Sequence, residues 1–205
     1  MKSNKKKQKK LKKETAVPLH QKLYRSVDAF FERNRQRFFV LSILLSVLMS
    51  ILLFDVKMSL SGDDCDYLVG ADNFWRHFTF PGGHGSLYPM ILSPLVGLLG
   101  MKLLLFKSLS AVFIVLSIWL LYKTFRGLVP AVVLMPALLL ASICSYIFFY
   151  AGHTYSEPLF MLVQGLFLYF FARYFLGKDD VSYCLKADWR KYLVIGGLAL
   201  CLTLT

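Results

Sequence analysis

The protein is a chain of 205 residues with the composition of a membrane protein. Apolar side chains make up 57% of the sequence and charged ones only 18%, whereas a soluble domain has about 45–50% apolar and about 25% charged residues. The apolar residues form long runs almost free of charge, which are long enough to cross the hydrocarbon core of a bilayer. The composition therefore excludes a soluble enzyme, a disordered tail and a small disulfide-rich scaffold.

Most of the net charge of +12 lies in the N-terminal segment. Residues 1–37 contain 13 Lys and Arg side chains and 3 acids, which gives 13 − 3 = +10. A Lys-rich run can attract nucleic acid or anionic lipid, but this one directly precedes an apolar run. That position is typical of a cytoplasmic anchor that follows the positive-inside rule. We therefore interpret residues 1–37 as a basic cytoplasmic tail and expect no nucleic acid partner.

Residues 38–205 form the predicted transmembrane region. The long apolar runs cover residues 38–56, 103–122, 128–150, 158–176 and 192–205. A shorter run at 87–100 contains proline and glycine, and its 14 residues would reach only about 21 Å as a helix, short of a core of about 30 Å. We predict a juxtamembrane or re-entrant helix there. The last run stops without a flanking charge, as expected for the N-terminal portion of a longer protein, truncated at its C-terminus.

The predicted topology follows from the basic tail. With the N-terminus in the cytoplasm, the first span delivers residues 57–86 to the outside. If residues 87–100 do not cross, residues 153–157 also face outward. The loop 173–191 then returns to the cytoplasm with five basic residues, in agreement with the positive-inside rule.

The first outer loop is rich in aspartate. Asp63 and Asp64 precede a stripe of mainly apolar side chains at helical spacing: Tyr67, Leu68, Ala71, Phe74, Trp75 and Phe78. This pattern predicts a helix over residues 64–79 that lies in the membrane interface with its aromatic face in lipid. The predicted fold class is thus all-α, a polytopic transmembrane helical bundle with an interfacial helix in its first outer loop.

Purely structural roles compete with functional ones for the polar residues. The Asp63–Asp64 pair could simply cap a helix, and Arg76 could pair with Asp72 one turn away. Lys107 lies near the start of a span, from which it could snorkel or reach a lipid phosphate. Glu157 is harder to explain in this way, because no other acid occurs between Asp72 and Asp179. The cysteine and histidine spacings match neither a disulfide framework nor a zinc site.

Four features occur in an order that resembles the GT-C superfamily of membrane glycosyltransferases. They are the outer Asp63–Asp64 pair, Tyr67 with the helix that follows it, the segment 87–89 (Leu-Tyr-Pro), and Glu157 with its following proline. The resemblance is greatest to the branch of protein O-mannosyltransferases and lipid A aminoarabinose transferases, and it extends over residues 38–205. It implies a multi-pass protein, which we expect in a bacterial inner membrane.

The resemblance implies transfer of a sugar from an isoprenoid-phosphate (polyprenyl phosphate) donor to an acceptor hydroxyl at the outer face. Asp63 matches the first acid of the family motif and would be the general base. Asp64 would orient the site or share a divalent metal ion. A divalent metal ion is the only cofactor that the resemblance suggests. Tyr67 and Glu157 would bind substrate. Arg76 and His84 are the candidates for balancing the charge of the donor phosphate.

Two other functions fit the same apolar pattern. A transporter or flippase would also place acids near a membrane, but ionisable residues inside the spans would be expected. A non-catalytic membrane subunit is the second alternative. Under the glycosyltransferase interpretation, we expect the 205-residue chain to be inactive alone, because later spans would complete the donor cavity.

Overall fold

The computed structural model describes residues 18–57, 63–82, 85–176 and 185–205, and all regular elements in these ranges are helices. The prediction of an all-α fold is confirmed for them. In chain order the helices are α1 (Leu19–Arg33), α2 (Arg35–Leu52), α3 (Asp63–His77), α4 (Leu87–Leu99), α5 (Leu103–Phe125), α6 (Ala131–Ser142), α7 (Ser145–Phe149), α8 (Ser156–Phe175) and α9 (Leu185–Leu204). A 3₁₀ turn, Tyr150–Gly152, follows α7.

Within the described ranges, three helices are long and apolar enough to cross a membrane, namely α2, α5 and α8. A fourth candidate is the pair formed by α6 and by α7 with its 3₁₀ turn, which are bent by 44° relative to each other. The sequence predicted one run over 128–150, so the break after Ser142 corrects that prediction. Pro136 does not cause the break, because it lies inside α6. Helix α4 has only 13 residues, in agreement with the short element predicted there.

The long helices run between the same two ends of the structure. At one end, Arg35 at the start of α2 donates a hydrogen bond of 2.5 Å to the carbonyl of Arg126, just after α5. At the other end, the amide of Thr154, just before α8, donates a hydrogen bond to Asp64. We call these the basic end and the acidic end, after Arg126 and Asp64.

Helices α3 and α4 pack against α5 and α8 near the acidic end. Their shared core consists of Leu68, Ala71, Tyr88, Leu92, Val96, Phe106, Leu159 and Val163. Trp75 of α3 lies directly over Gly97 of α4, where an added Cβ would come within 2.3 Å of the indole ring. The close approach of the two helices therefore depends on Gly97 having no side chain.

The helix predicted over residues 64–79 is confirmed over 64–77, since it spans Asp63–His77, but part of its predicted lipid-facing stripe was assigned wrongly. Leu68 and Ala71 are buried in the protein core. Trp75 and Phe78 of the predicted stripe are exposed, and so is Val69, which was not part of it. An apolar stripe on a helix indicates burial, but the sequence cannot distinguish a lipid neighbour from a protein one.

Candidate functional site

The two aspartates at the start of α3 lie in different surroundings. Asp63 is partly exposed and lines a cavity, whereas Asp64 is completely buried inside the protein. Consecutive residues of an α-helix project about 100° apart, so adjacent carboxylates naturally reach different neighbours. The Asp-Asp pair is therefore divided between two environments.

The cavity has a volume of about 570 Å³ and lies between α3, the segment that follows it and the start of α8. Three acids line it: Asp63, Asp66 and Glu157. Its other lining residues are Tyr67, Val69, Gly70, Asn73, Thr79, Phe80, Pro81, Gly82, Pro89 and Ser156. The fold thus gathers three of the residues singled out in the sequence, namely Asp63, Tyr67 and Glu157, although Glu157 is distant from the others along the chain.

Tyr67 connects α3 to the start of α8 inside this cavity. Its hydroxyl donates a hydrogen bond of 3.1 Å to Oγ of Ser156, and its ring contacts Tyr88 edge-on with centroids 5.3 Å apart. Burial raises the pKa of Tyr67 above its ordinary value, and the nearby carboxylates of Glu157 and Asp63 raise this pKa further. Tyr67 therefore keeps its proton at neutral pH and acts as a hydrogen-bond donor.

Asp64 forms a buried ion pair with Lys107 of α5. Their side chains are both 0% exposed, and Nζ of Lys107 lies 3.3 Å from Oδ2 of Asp64. The other carboxylate oxygen, Oδ1, accepts a 2.6 Å hydrogen bond from the amide of Thr154. Lys107 also donates to the backbone carbonyl of Asp55 at 3.1 Å and to that of Lys57. One buried ammonium group thus connects α5, the segment after α2 and the start of α3.

The structure shows where the side chains of Asp64 and Lys107 lie. Lys107 does not snorkel, because its side chain is fully buried. Asp64 is not among the residues that line the cavity, and its contacts with Lys107 and the amide of Thr154 hold the first turn of α3, which also carries Asp63. Within the described ranges, no group of three or more His, Cys, Asp or Glu residues is arranged to hold a metal ion.

Of the two residues predicted to meet a phosphate, Arg76 is not among the residues that line the cavity. Arg76 is exposed and pairs with Asp72, with Nε and Oδ1 2.9 Å apart, which is the i, i+4 pair considered as its structural alternative. His84 lies outside the described residues. Among the residues that line the cavity in the described ranges, none is Lys, Arg or His.

Sequence analysis did not identify Asp66, Ser156 or the partnership of Lys107 with Asp64. The sequence does contain a pattern that could have identified Asp66, because this residue belongs to the same run of aspartates and lies one helical turn before Gly70, another lining residue. Lys107 is also conspicuous in the sequence, because it interrupts the apolar start of α5. Its partner could not be inferred, since pairing depends on how α3 and α5 pack.

No protein-family model, curated protein or solved structure matches the chain. The resemblance to GT-C glycosyltransferases therefore rests on the order of the motifs in the sequence.

Proposed function

We propose that the protein is, or is part of, a membrane glycosyltransferase that moves a sugar from an isoprenoid-phosphate donor to an acceptor hydroxyl. The observation that carries this proposal is the shared cavity of Asp63 and Glu157. Carboxylates bind sugar hydroxyls as hydrogen-bond acceptors, and the lining residues Asn73 and Ser156 add neutral polar groups. The cavity therefore combines a candidate base with side chains suited to a polyhydroxylated ligand.

The proposed arrangement in the membrane is a multi-pass bundle with a cytoplasmic N-terminus, in a bacterial inner membrane. The basic end would face the cytoplasm, in keeping with the positive-inside rule. The acidic end, with its cavity, would then lie at the outer face. Helix α3 would lie in the membrane interface. The aromatic side chains of Trp75 (45% exposed) and of Phe78 just after the helix (83% exposed) lie at the surface beside the cavity, where they could contact lipid.

The proposed reaction requires a base and a positive charge. The acceptor oxygen loses its proton as it attacks the anomeric carbon, and Asp63 would take that proton, a contribution of roughly 10²–10⁴ in rate. The leaving phosphate develops negative charge, which a cation has to balance. With Arg76 engaged elsewhere, His84 is the remaining candidate from the sequence for this role.

The test is the substitution Asp63→Asn in the protein expressed from its complete gene, assayed as membranes with an isoprenoid-phosphate sugar donor. Asn preserves the shape of the side chain and can still accept a hydrogen bond at a helix N-terminus, but it cannot act as a base. We expect transfer to fall by about 10² or more. The matched control is Asp72→Asn, which removes an acid from the same helix outside the cavity, and it should retain activity.

A second measurement separates donor binding from catalysis. A photoreactive isoprenoid-phosphate sugar should label the wild-type and the Asp63→Asn proteins alike, because the base acts after the donor has bound. Glu157→Gln should weaken the labelling. Near-normal transfer by the Asp63→Asn protein would show that this carboxylate is structural, and absence of specific labelling in every variant would contradict the proposed donor.

A further inference from the structure

A second cavity, of about 320 Å³, lies at the basic end between the C-terminal ends of α5 and α8. Three of its lining residues are cationic: Lys123 and Arg126 at the end of α5, and Arg173 at the end of α8. Tyr169 and Thr124 add hydroxyl groups, and none of the described residues that line the cavity is an acid. This composition is the opposite of that of the acidic cavity at the other end.

The three cations are not neutralised within the described part of the chain. The ion pairs found there involve other basic residues. Lys123 instead lies over the ring of Trp119, with Nζ 5.4 Å from the ring centroid. Arg173 donates through Nη1 to the hydroxyl oxygen of Tyr169 at 3.3 Å. These partners are neutral, so no acid of the described residues forms an ion pair with the cations of this cavity.

The contact between Arg173 and Tyr169 leaves further donors available to a ligand. A guanidinium group has five N–H donors, of which this hydrogen bond uses one. Tyr169 accepts that bond with its oxygen and can still donate its own proton. Arg126 supplies a second guanidinium group in the same cavity. Paired guanidinium groups with an added hydroxyl suit a phosphate oxyanion, because their planar N–H groups match its oxygens.

The negative ends of the helix dipoles explain only part of this cluster. Cations are favoured near the C-terminus of a single helix, which accounts for each residue on its own. The packing of α5 beside α8 brings both helix ends to one hollow, so that the charges of Lys123, Arg126 and Arg173 surround a common space. Like charges repel, and a bound anion would relieve that repulsion.

We propose that this cavity binds the phosphate of an anionic phospholipid headgroup. The helices that form it are two of those long and apolar enough to cross a membrane, so the cavity lies where headgroups would be. Leu128 in the lining is 44% exposed and Trp119 nearby is 40% exposed, which provides apolar surface for an acyl chain. Basic pockets between transmembrane helices are known to bind such headgroups. A bound lipid would hold α5 to α8, whichever reaction occurs at the other end.

The experiment is native mass spectrometry of the full chain in detergent, which counts the lipids retained per protein. Phosphatidylglycerol and phosphatidylcholine are titrated separately, with inorganic phosphate as a competitor. We expect preferential retention of phosphatidylglycerol, and at least a tenfold loss of this affinity in the double variant Arg126→Gln/Arg173→Gln. The control is Arg76→Gln, which removes an exposed arginine near the acidic end and should leave retention unchanged.

The basic tail is the same in all variants, so its non-specific attraction for anionic lipid cancels. The variant Arg126→Lys/Arg173→Lys keeps both charges, and we expect it to retain more lipid than the Gln variant if folding is intact. Equal phosphatidylglycerol retention by the Gln variant and the wild-type protein would overturn the proposal. Displacement of the lipid by phosphate at equimolar concentration would overturn the assignment to a lipid headgroup.

Discussion

Replacement of Lys107 by Met is expected to destabilise the protein strongly, because it removes one partner of a completely buried ion pair. Asp64 would keep the amide of Thr154 but lose the ammonium group 3.3 Å away. The carbonyls of Asp55 and Lys57 would lose their donor as well. Breaking a buried pair in this way costs about 3–5 kcal/mol. At about 2–4 °C per kcal/mol for a chain of this length, the melting temperature should fall by roughly 6–20 °C.

The assay is thermal unfolding in detergent, followed by intrinsic tryptophan fluorescence. Lys102→Met is the matched control, because Lys102 is exposed just before the same helix, and its loss should change the melting temperature little. The double variant Asp64→Asn/Lys107→Met should be less destabilised than the sum of the two single variants, since it leaves no unpaired buried charge. Strict additivity, or a melting temperature of Lys107→Met within about 1 °C of the wild type, would refute the energetic role of the pair.

The other predictions concern the packing of α3 and the exposure of the cavity. Gly97→Ala should displace the indole of Trp75 and lower the stability of the protein by about 1–3 kcal/mol. Gly196→Ala, where nothing lies within 4 Å of the added carbon, should not destabilise the protein. Equal stability of the two variants would contradict this packing. Cysteines that replace Asp63 or Glu157, in a background without native cysteines, should both react with an impermeant thiol reagent in sealed cells. Labelling of only one of them would contradict the proposed topology.

The sequence predicted the apolar helices well because their signal is local. Apolar runs that are almost free of charge give α2, α5 and α8 directly, and the short length of α4 follows from the count of its apolar residues. The break between α6 and α7 was missed for a physical reason. It falls at Ile143 and Cys144, where backbone amides bond three residues back and where neither proline nor glycine marks the sequence.

The candidate site was predictable only in part. Asp63 and Glu157 were identified as unusual acids, and the fold brings both to one cavity. The difference between Asp63 and Asp64 was not predictable, because it depends on which side of the first turn of α3 meets α5. The same is true of Lys107, whose buried position reflects the packing of several elements around one charge. Local patterns indicate which residues are exceptional, and tertiary packing determines their partners.

The contacts of Lys107 also have a consequence for biosynthesis. Its three acceptors are the carbonyls of Asp55 and Lys57 and the carboxylate of Asp64. All three precede Lys107 in the chain, so a ribosome completes them before it makes the lysine. The carboxylate of Asp64 can therefore balance the charge of Lys107 as soon as the start of α5 has been made. Thr154 is synthesised later, and its amide then adds a hydrogen bond to Asp64 that stabilises the contact between Asp64 and Lys107.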